Sequence, residues 1–103
     1  MMVEQDIATI KAELARRIGT IEWRAGPSRV ANEVDTIRTI ASRHAMLPAV
    51  TVAKLMERAL ARGEHGPLVH HWLGLLSEAV ACERQDAGAS DSFAALCHTR
   101  FAA

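Results

Sequence analysis

The sequence predicts an all-α fold in which several helices pack into one bundle. Apolar residues recur every three or four positions through most of the chain, and glycine or proline interrupts this pattern at intervals. No segment shows the alternation of apolar and polar residues that a half-buried strand would have. A chain of 103 residues, 50% of them apolar, can bury one core. We therefore expect a single domain over 1–103, with a bundle core in 1–85 and a loop plus a short C-terminal helix in 86–103.

Two stretches of helical spacing precede Met46, and Gly26-Pro27 separates them. The apolar residues of these stretches are Val3, Ile7, Ile10, Leu14, Ile18 and Ile21, then Val30, Val34, Ile37 and Ala41. Proline disrupts the interior of a helix but is well accommodated in its first turn. Residues 3–45 are therefore predicted to form either one long helix, kinked at Gly26-Pro27, or two helices with a break at that point.

The pattern of residues 48–85 predicts a helical hairpin, in which Gly63 and Gly66-Pro67 end one helix and start the next. The first helix has an apolar stripe that consists of Val52, Leu55, Met56, Ala59 and Leu60. The second helix is apolar on nearly all sides, so we expect it to be buried on most of its surface or shared with a partner. Its apolar residues are Leu68, Val69, Trp72, Leu73, Leu75, Leu76, Ala79, Val80 and Ala81.

The composition of residues 86–90 predicts a loop after the hairpin. Asp91 or Ser92 could then cap a short last helix, because both side chains can accept hydrogen bonds from the N–H groups of a first turn. The apolar residues of this helix would be Phe93, Leu96, Cys97 and Phe101.

The charge balance narrows the classes of partner. Lysine plus arginine equals aspartate plus glutamate, at 12 each, whereas a general nucleic-acid or membrane-surface binder needs an excess of positive charge. No window approaches the run of about 18 apolar residues that a membrane span requires. The N-terminal segment carries acidic Glu4 and Asp6 rather than a basic region. We therefore expect a cytoplasmic protein without nucleic-acid or membrane partners.

Local motifs for metal or covalent chemistry are not found in the sequence. Cys82 and Cys97 form no CxxC pair, so neither a disulfide framework nor a zinc ribbon is indicated, and both are expected to be reduced. Histidines such as His65 and His70 lack the i, i+4 spacing of a helical metal pair. Neither a GxSxG elbow nor a glycine-rich phosphate loop occurs. No metal is therefore expected.

In residues 36–60 the spacing of the apolar residues is similar to that of a helix-turn-helix DNA-binding motif. The turn at Met46-Leu47-Pro48 is one residue too long, however, and lacks the glycine of that motif. The second helix of this motif would offer few side chains for contacts with DNA bases, namely Thr51, Lys54 and Arg58. Helix packing alone accounts for the same spacing of apolar residues. DNA binding is therefore the least favoured of the candidate functions.

Three segments resemble the all-helical chorismate mutases and the related isochorismate pyruvate lyases. They are RVANEVDTIRTIASRHAMLP (29–48), KLMERALARG (54–63) and HHWLGLLSEAVACE (70–83). The resemblance implies a bundle of chorismate mutase type, with a long first helix before a hairpin, assembled as an intertwined homodimer. It also implies a cationic pocket that rearranges chorismate to prephenate, or acts on a related enolpyruvyl acid, without a cofactor.

The resemblance assigns roles to individual residues. Arg38 matches the family lysine that binds the ether oxygen and a carboxylate, and Glu83 matches its glutamine or glutamate, so these two are the implied catalytic residues. Lys11 matches an arginine at the start of the long helix. Lys11, Arg24, Arg29 and Lys54 are the implied substrate-binding cations.

The sequence departs from the family pattern at three positions. Pro27 stands where the family has an arginine midway along the first helix, and Arg24 and Arg29 are the nearest cations. Val52 and Ala53 replace an arginine and a glutamate that open the short helix. These departures leave an alternative open, a non-catalytic helical dimer of the same fold that binds a protein partner or an anionic metabolite.

Overall fold

Five α-helices make up residues 6–101, the part of the chain that the computed structural model describes. They are α1 (Ile7–Gly19), α2 (Pro27–Arg43), α3 (Leu47–Ala61), α4 (Pro67–Ala81) and α5 (Ala87–Phe101). Between residues 6 and 101 no strand is present, so the predicted all-α class is confirmed. Val3 and Glu4, which entered the sequence-based predictions, lie outside the described residues.

The stretch before Met46 forms two helices rather than one kinked helix. α1 begins at Ile7, after the N-cap residue Asp6, whose carboxylate accepts the N–H of Ala8 at 3.1 Å, and it ends at Gly19. Residues 20–26 leave the helical conformation, although Ile21 in this connection is still buried against the core. Pro27 then occupies the first position of α2. An N–H group at this position has no hydrogen-bond acceptor within the helix, so proline, which lacks the N–H, is well accommodated there.

α2 and α3 form an antiparallel hairpin around a tight turn. α2 ends at Arg43, where the N–H of Met46 donates to the carbonyl of Ala41 at 2.9 Å and Ala45 has a φ of 54°. This hydrogen bond and positive φ are those of a Schellman motif, which satisfies the last carbonyl groups of a helix. α3 begins at Leu47, with proline in its first turn. The predicted helix end near Ala45 is therefore two residues late.

α3 is the central helix, because it packs against α2, α4 and α5. α4 runs antiparallel to α1, since Lys11 near the start of α1 contacts Cys82 after the end of α4. α5 runs parallel to α3, and the hydroxyl groups of Thr51 and Ser90 are in contact near the starts of these two helices. The C-terminal ends of α3 and α5 consequently lie side by side, next to α4.

The core draws side chains from every helix, and α4 contributes as the sequence predicts. Its buried residues are Val69, Trp72, Leu73, Leu75, Leu76, Ala79 and Val80. Leu68 and Ala81 are the exceptions, because both are exposed. The predicted burial of α4 is therefore confirmed only for the face that packs against α1 and α3, whereas the opposite face, which includes His70, His71, Gly74 and Glu78, is exposed.

α5 is longer than predicted, because it begins at Ala87 instead of following a loop. Asp86 accepts the N–H of Ala89 at 2.9 Å, which is the hydrogen bond of a helix N-cap. The guanidinium of Arg84 contacts the same carboxylate at 3.0 Å. Asp86, rather than the predicted Asp91 or Ser92, therefore starts this helix.

The radius of gyration is 13.2 Å, close to the value of about 13 Å expected for a compact domain of 100 residues. Among residues 6–101, no helix is both long enough and apolar enough to span a bilayer.

Candidate functional site

Arg38, a predicted catalytic residue, is held in ion pairs between α2 and α3. Its Nε donates to the two carboxylate oxygens of Glu57 at 3.1 and 3.2 Å, and its guanidinium also contacts Asp35. The hydrogen bond and negative charge of Glu57 raise the pKa of Arg38 above its ordinary value. About a third of the Arg38 side chain, 30%, is exposed, so the ion pair lies at the surface of the hairpin. In this chain Arg38 thus has a structural role that is independent of any ligand.

Lys11 and Glu83, predicted as a substrate-binding and a catalytic residue, lie at the same end of the bundle. Lys11 Nζ donates to the carbonyl oxygen of Cys82 at 2.8 Å, and the side-chain amide of Gln85 donates to the same oxygen. The carbonyl groups at a helix C-terminus lack partners in the helix and favour a cation, which explains the position of Lys11. Glu83 follows Cys82 and is exposed. The structure therefore gives Lys11 a capping role at the backbone carbonyl that precedes Glu83.

Arg24, Arg29 and Lys54, the other predicted substrate-binding cations, are exposed and lie on different elements. Arg24 is in the 20–26 connection, where its guanidinium carbon is 4.8 Å from the ring centroid of Trp23. Arg29 is in the first turn of α2, at a cavity of about 320 Å³ whose wall also contains two glutamates. Within residues 6–101, no hydrogen bond or ion pair joins these three cations to the other predicted site residues. This chain alone does not gather the predicted residues into one pocket.

The three departures from the family pattern have structural explanations in this chain. Pro27 starts α2, and Val52 and Ala53 are completely buried on α3. A charged side chain at either of these α3 positions would need a buried partner. Core packing therefore occupies the part of α3 where the resemblance implies a charged pair.

A different cavity, which we call the α3/α4/α5 cavity, combines apolar walls with cations. Its volume is about 380 Å³, and its lining residues are Leu55, Arg58, Arg62, Trp72, Cys97, His98 and Phe101. Trp72 and Cys97 are buried, Leu55 and Phe101 are half-buried, and the two arginines and His98 are exposed. The cavity is therefore apolar on its inner side and basic toward solvent.

The charges around this cavity favour an anion. No acidic side chain is among its lining residues. Arg62 donates to Glu64 at 3.3 Å, at the exposed end of α3. Arg58 lies one turn earlier, and between residues 6 and 101 no carboxylate is within ion-pair distance of it. Arg58 is thus the lining cation whose hydrogen-bonding capacity a ligand could use most directly.

The inner wall is aromatic, and its thiol is unreactive. The rings of Trp72 and Phe101 stack with their centroids 4.0 Å apart and an angle of 9° between their planes. Burial raises the pKa of the Cys97 thiol, so this side chain stays protonated and is a poor nucleophile. In the described part of the chain, no group of three histidine, cysteine, aspartate or glutamate side chains is arranged to hold a metal ion. The arrangement thus fits noncovalent binding better than covalent or metal chemistry.

Sequence reasoning does not single out this cavity. The available signal is the spacing of Leu55, Arg58 and Arg62, which puts all three on one face of α3. That face becomes a cavity wall only because Trp72 and the end of α5 lie against it. The convergence of three helices depends on their packing and is not a local pattern of residues.

We compared the chain with protein-family models, with curated proteins and with solved structures, and no match was found. The resemblance to the chorismate mutases therefore stays a prediction. The class that the fold and the cavity define is a small all-α domain with a basic, partly aromatic cavity.

Proposed function

We propose that this protein binds a small organic anion, a carboxylate with an apolar body, in the α3/α4/α5 cavity. The observation that carries the proposal is the position of Arg58 and Arg62 next to Leu55, Trp72 and Phe101. The volume of about 380 Å³ falls at the lower end of the range of about 300–1,000 Å³ that is usual for ligand sites. A ligand of modest size would therefore fill it.

The chemistry of the lining groups supports a carboxylate in particular. The planar guanidinium of Arg58 can donate two parallel hydrogen bonds to a carboxylate, and such charge-assisted bonds are stronger than bonds between neutral groups. The apolar body of the ligand would bury its surface against Leu55 and the aromatic wall. A cationic ligand would meet Arg58 and Arg62 without any lining carboxylate to balance them.

The first test is a calorimetric titration of the full chain with 4-phenylbutyrate and, as an uncharged analogue, 4-phenylbutan-1-ol. We expect the acid to bind and the alcohol to bind at least tenfold more weakly. Arg58→Gln should weaken binding of the acid about tenfold, because a hydrogen bond to a charged group contributes about 1.5–3 kcal/mol and this one is partly exposed to solvent.

Arg43→Gln is the matched control for Arg58→Gln. Arg43 is an exposed arginine in the last turn of α2, outside the cavity lining, so its removal changes the net charge by the same amount. Equal affinity for the acid and the alcohol, or an equal loss in both variants, would rule out a carboxylate held by Arg58.

Chorismate mutase-like activity, in an intertwined homodimer, is the second candidate function. The observation that favours it is the contact of Lys11 with the carbonyl of Cys82, the residue that precedes Glu83 in the sequence. The family pocket takes residues from two protomers, so this proposal also requires a stable dimer. The alternative is a non-catalytic dimer, and the α3/α4/α5 cavity then accounts for anion binding without turnover.

Two measurements test the second candidate function. One is the rate of chorismate disappearance at pH 5 and pH 7, and the other is sedimentation velocity, which gives the oligomeric state. If the candidate is right, the protein sediments as a dimer and Arg38→Ala abolishes turnover, while Glu57→Gln retains most of it. Glu57→Gln is the control because it weakens the same ion pair but keeps Arg38. A monomer, absence of turnover at both pH values, or equal losses in the two variants would reject this candidate.

A further inference from the structure

Phe101 lines two cavities. It is part of the wall of the α3/α4/α5 cavity and also of a second cavity of about 420 Å³. The ring is fixed by its stacking on Trp72, and the neighbouring Arg100 donates to Glu78 on α4 at 3.4 Å. Phe101 is therefore the residue that the linings of these two cavities, which have similar volumes, have in common.

The second cavity lies against the outer face of α4. Its lining residues are His70, His71, Gly74, Leu75, Glu78, Arg100 and Phe101. Phe101 supplies apolar surface, since Leu75 is completely buried behind the cavity, and Gly74 contributes no side chain. A Cβ atom at Gly74 would have no other heavy atom within 4 Å, so there is room for a larger residue at this position.

We infer that Phe101 sets the maximum length of the carboxylate ligand. This inference rests on the proposed function, because it concerns a ligand whose carboxylate is bound near Arg58. The apolar tail of such a ligand can extend through the α3/α4/α5 cavity until it reaches the Phe101 ring. Beyond that ring the second cavity is available, but the aromatic side chain closes the way to it.

Replacing the ring by a methyl group would join the two cavities and roughly double the space for the tail. Each additional buried methylene group strengthens binding by about 0.8 kcal/mol, which is about fourfold in affinity. The wild-type protein should gain this factor only up to the length at which the tail reaches Phe101. The Phe101→Ala variant should continue to gain for several further methylene groups.

The experiment is a calorimetric titration of the full chain with straight-chain carboxylates from butyrate to dodecanoate. In wild type we expect affinity to rise about fourfold per methylene group and then to level off or fall. In Phe101→Ala the same rise should extend to longer acids, so that the longest ones bind at least tenfold more tightly than to wild type. Adding Arg58→Gln should weaken all of them in both backgrounds.

Gly74→Leu supplies a matched control, because it takes up part of the second cavity and Gly74 does not line the first. Alone it should leave the length limit of the wild-type protein unchanged. Combined with Phe101→Ala it should return the limit toward the wild-type value. Circular dichroism and thermal unfolding verify that each variant folds. If Phe101→Ala does not fold, Phe101→Leu replaces it in the experiment. Because leucine keeps an apolar side chain, this variant should extend the length limit by a smaller step.

The outcomes separate this inference from the proposed function. If wild type binds the short acids and the length limit is the same in Phe101→Ala and Phe101→Leu, the role of Phe101 is wrong and the anion site remains. A Phe101→Ala,Gly74→Leu protein that still accepts the longer acids also overturns the inference. If no variant binds any of the acids, both the inference and the proposed function are wrong.

Discussion

Ala45 has a backbone conformation that alanine rarely adopts. It has a φ of 54° and is, within residues 6–101, the one residue other than glycine with a positive φ. Gly63, with a φ of 92°, holds the equivalent position after α3, where the N–H of Glu64 donates to the carbonyl of Ala59. In left-handed backbone the Cβ atom is crowded by the following carbonyl oxygen, so alanine is strained at this position and glycine is not.

We therefore predict that Ala45→Gly raises the free energy of unfolding by about 0.5–1 kcal/mol, despite the greater freedom of glycine in the unfolded chain. Gly63→Ala, the reverse change at the equivalent position, should lower it by a similar amount. Urea denaturation followed by circular dichroism measures both values. A loss of stability in Ala45→Gly would show that the turn does not strain Ala45.

The contacts of Arg38 and Lys11 could not be predicted from the sequence. Arg38 and Lys11 are recognisable as cations on helical faces, but their partners are 19 and 71 residues away in the sequence. Only the packed structure shows that Arg38 donates to Glu57 and that Lys11 donates to the carbonyl of Cys82. Arg58 is equally visible in the sequence, yet nothing local distinguishes it from a solvated arginine.

The helices themselves follow well from the sequence, and their ends follow less well. Periodicity alone predicts the buried faces of α1 to α4, because an amphipathic face must be covered in any compact fold. The break after Gly19 remains open in the sequence, since Pro27 is compatible with a kink or with a new helix. The start of α5 is predicted too late, because the composition of Ala-Gly-Ala-Ser favours a loop and the Asp86 cap outweighs it.

The Asp86 cap should make the stability of the protein depend on pH. The N–H of Ala89, and to a smaller extent the guanidinium of Arg84, hold the pKa of Asp86 below its ordinary value of 3.8. A carboxyl group with a lowered pKa in the folded state stabilises that state at pH values above the ordinary pKa. The contribution is lost as the pH falls through the lowered value, where the folded protein also takes up the proton.

We predict that wild type is more stable than Asp86→Asn at pH 6 and that this difference shrinks as the pH falls from about 5 toward 3. Asparagine can still cap the helix, so the variant removes chiefly the charge. Urea denaturation of both proteins at each pH measures the difference, and the titration of the other carboxyl groups cancels in it. A difference that stays constant over this range would exclude an ionised cap.

In the whole molecule, α3 links the structural and the candidate functional regions. Its face toward α2 carries the ion pair with Arg38, and its C-terminal half lines the cavity with α4 and α5. The all-α class is predictable because each helix has its own pattern of residues. The α3/α4/α5 cavity is not, because it exists only where the ends of three helices converge. The net charge, zero over the chain, likewise gives no sign of a locally basic cavity.

The pairing of α1 with α4 has a consequence during synthesis of the chain. The contact between Lys11 and Cys82 joins residues 71 positions apart, so α1 leaves the ribosome long before its packing partner exists. At about 5–20 residues per second, the delay is roughly 4–14 s. The hairpin of α2 and α3 can form in this interval, whereas Ile10, Leu14 and Ile18 on α1 have no α4 to cover them. Until α4 emerges, the apolar residues of α1 therefore lack their main packing partner and are accessible to a chaperone.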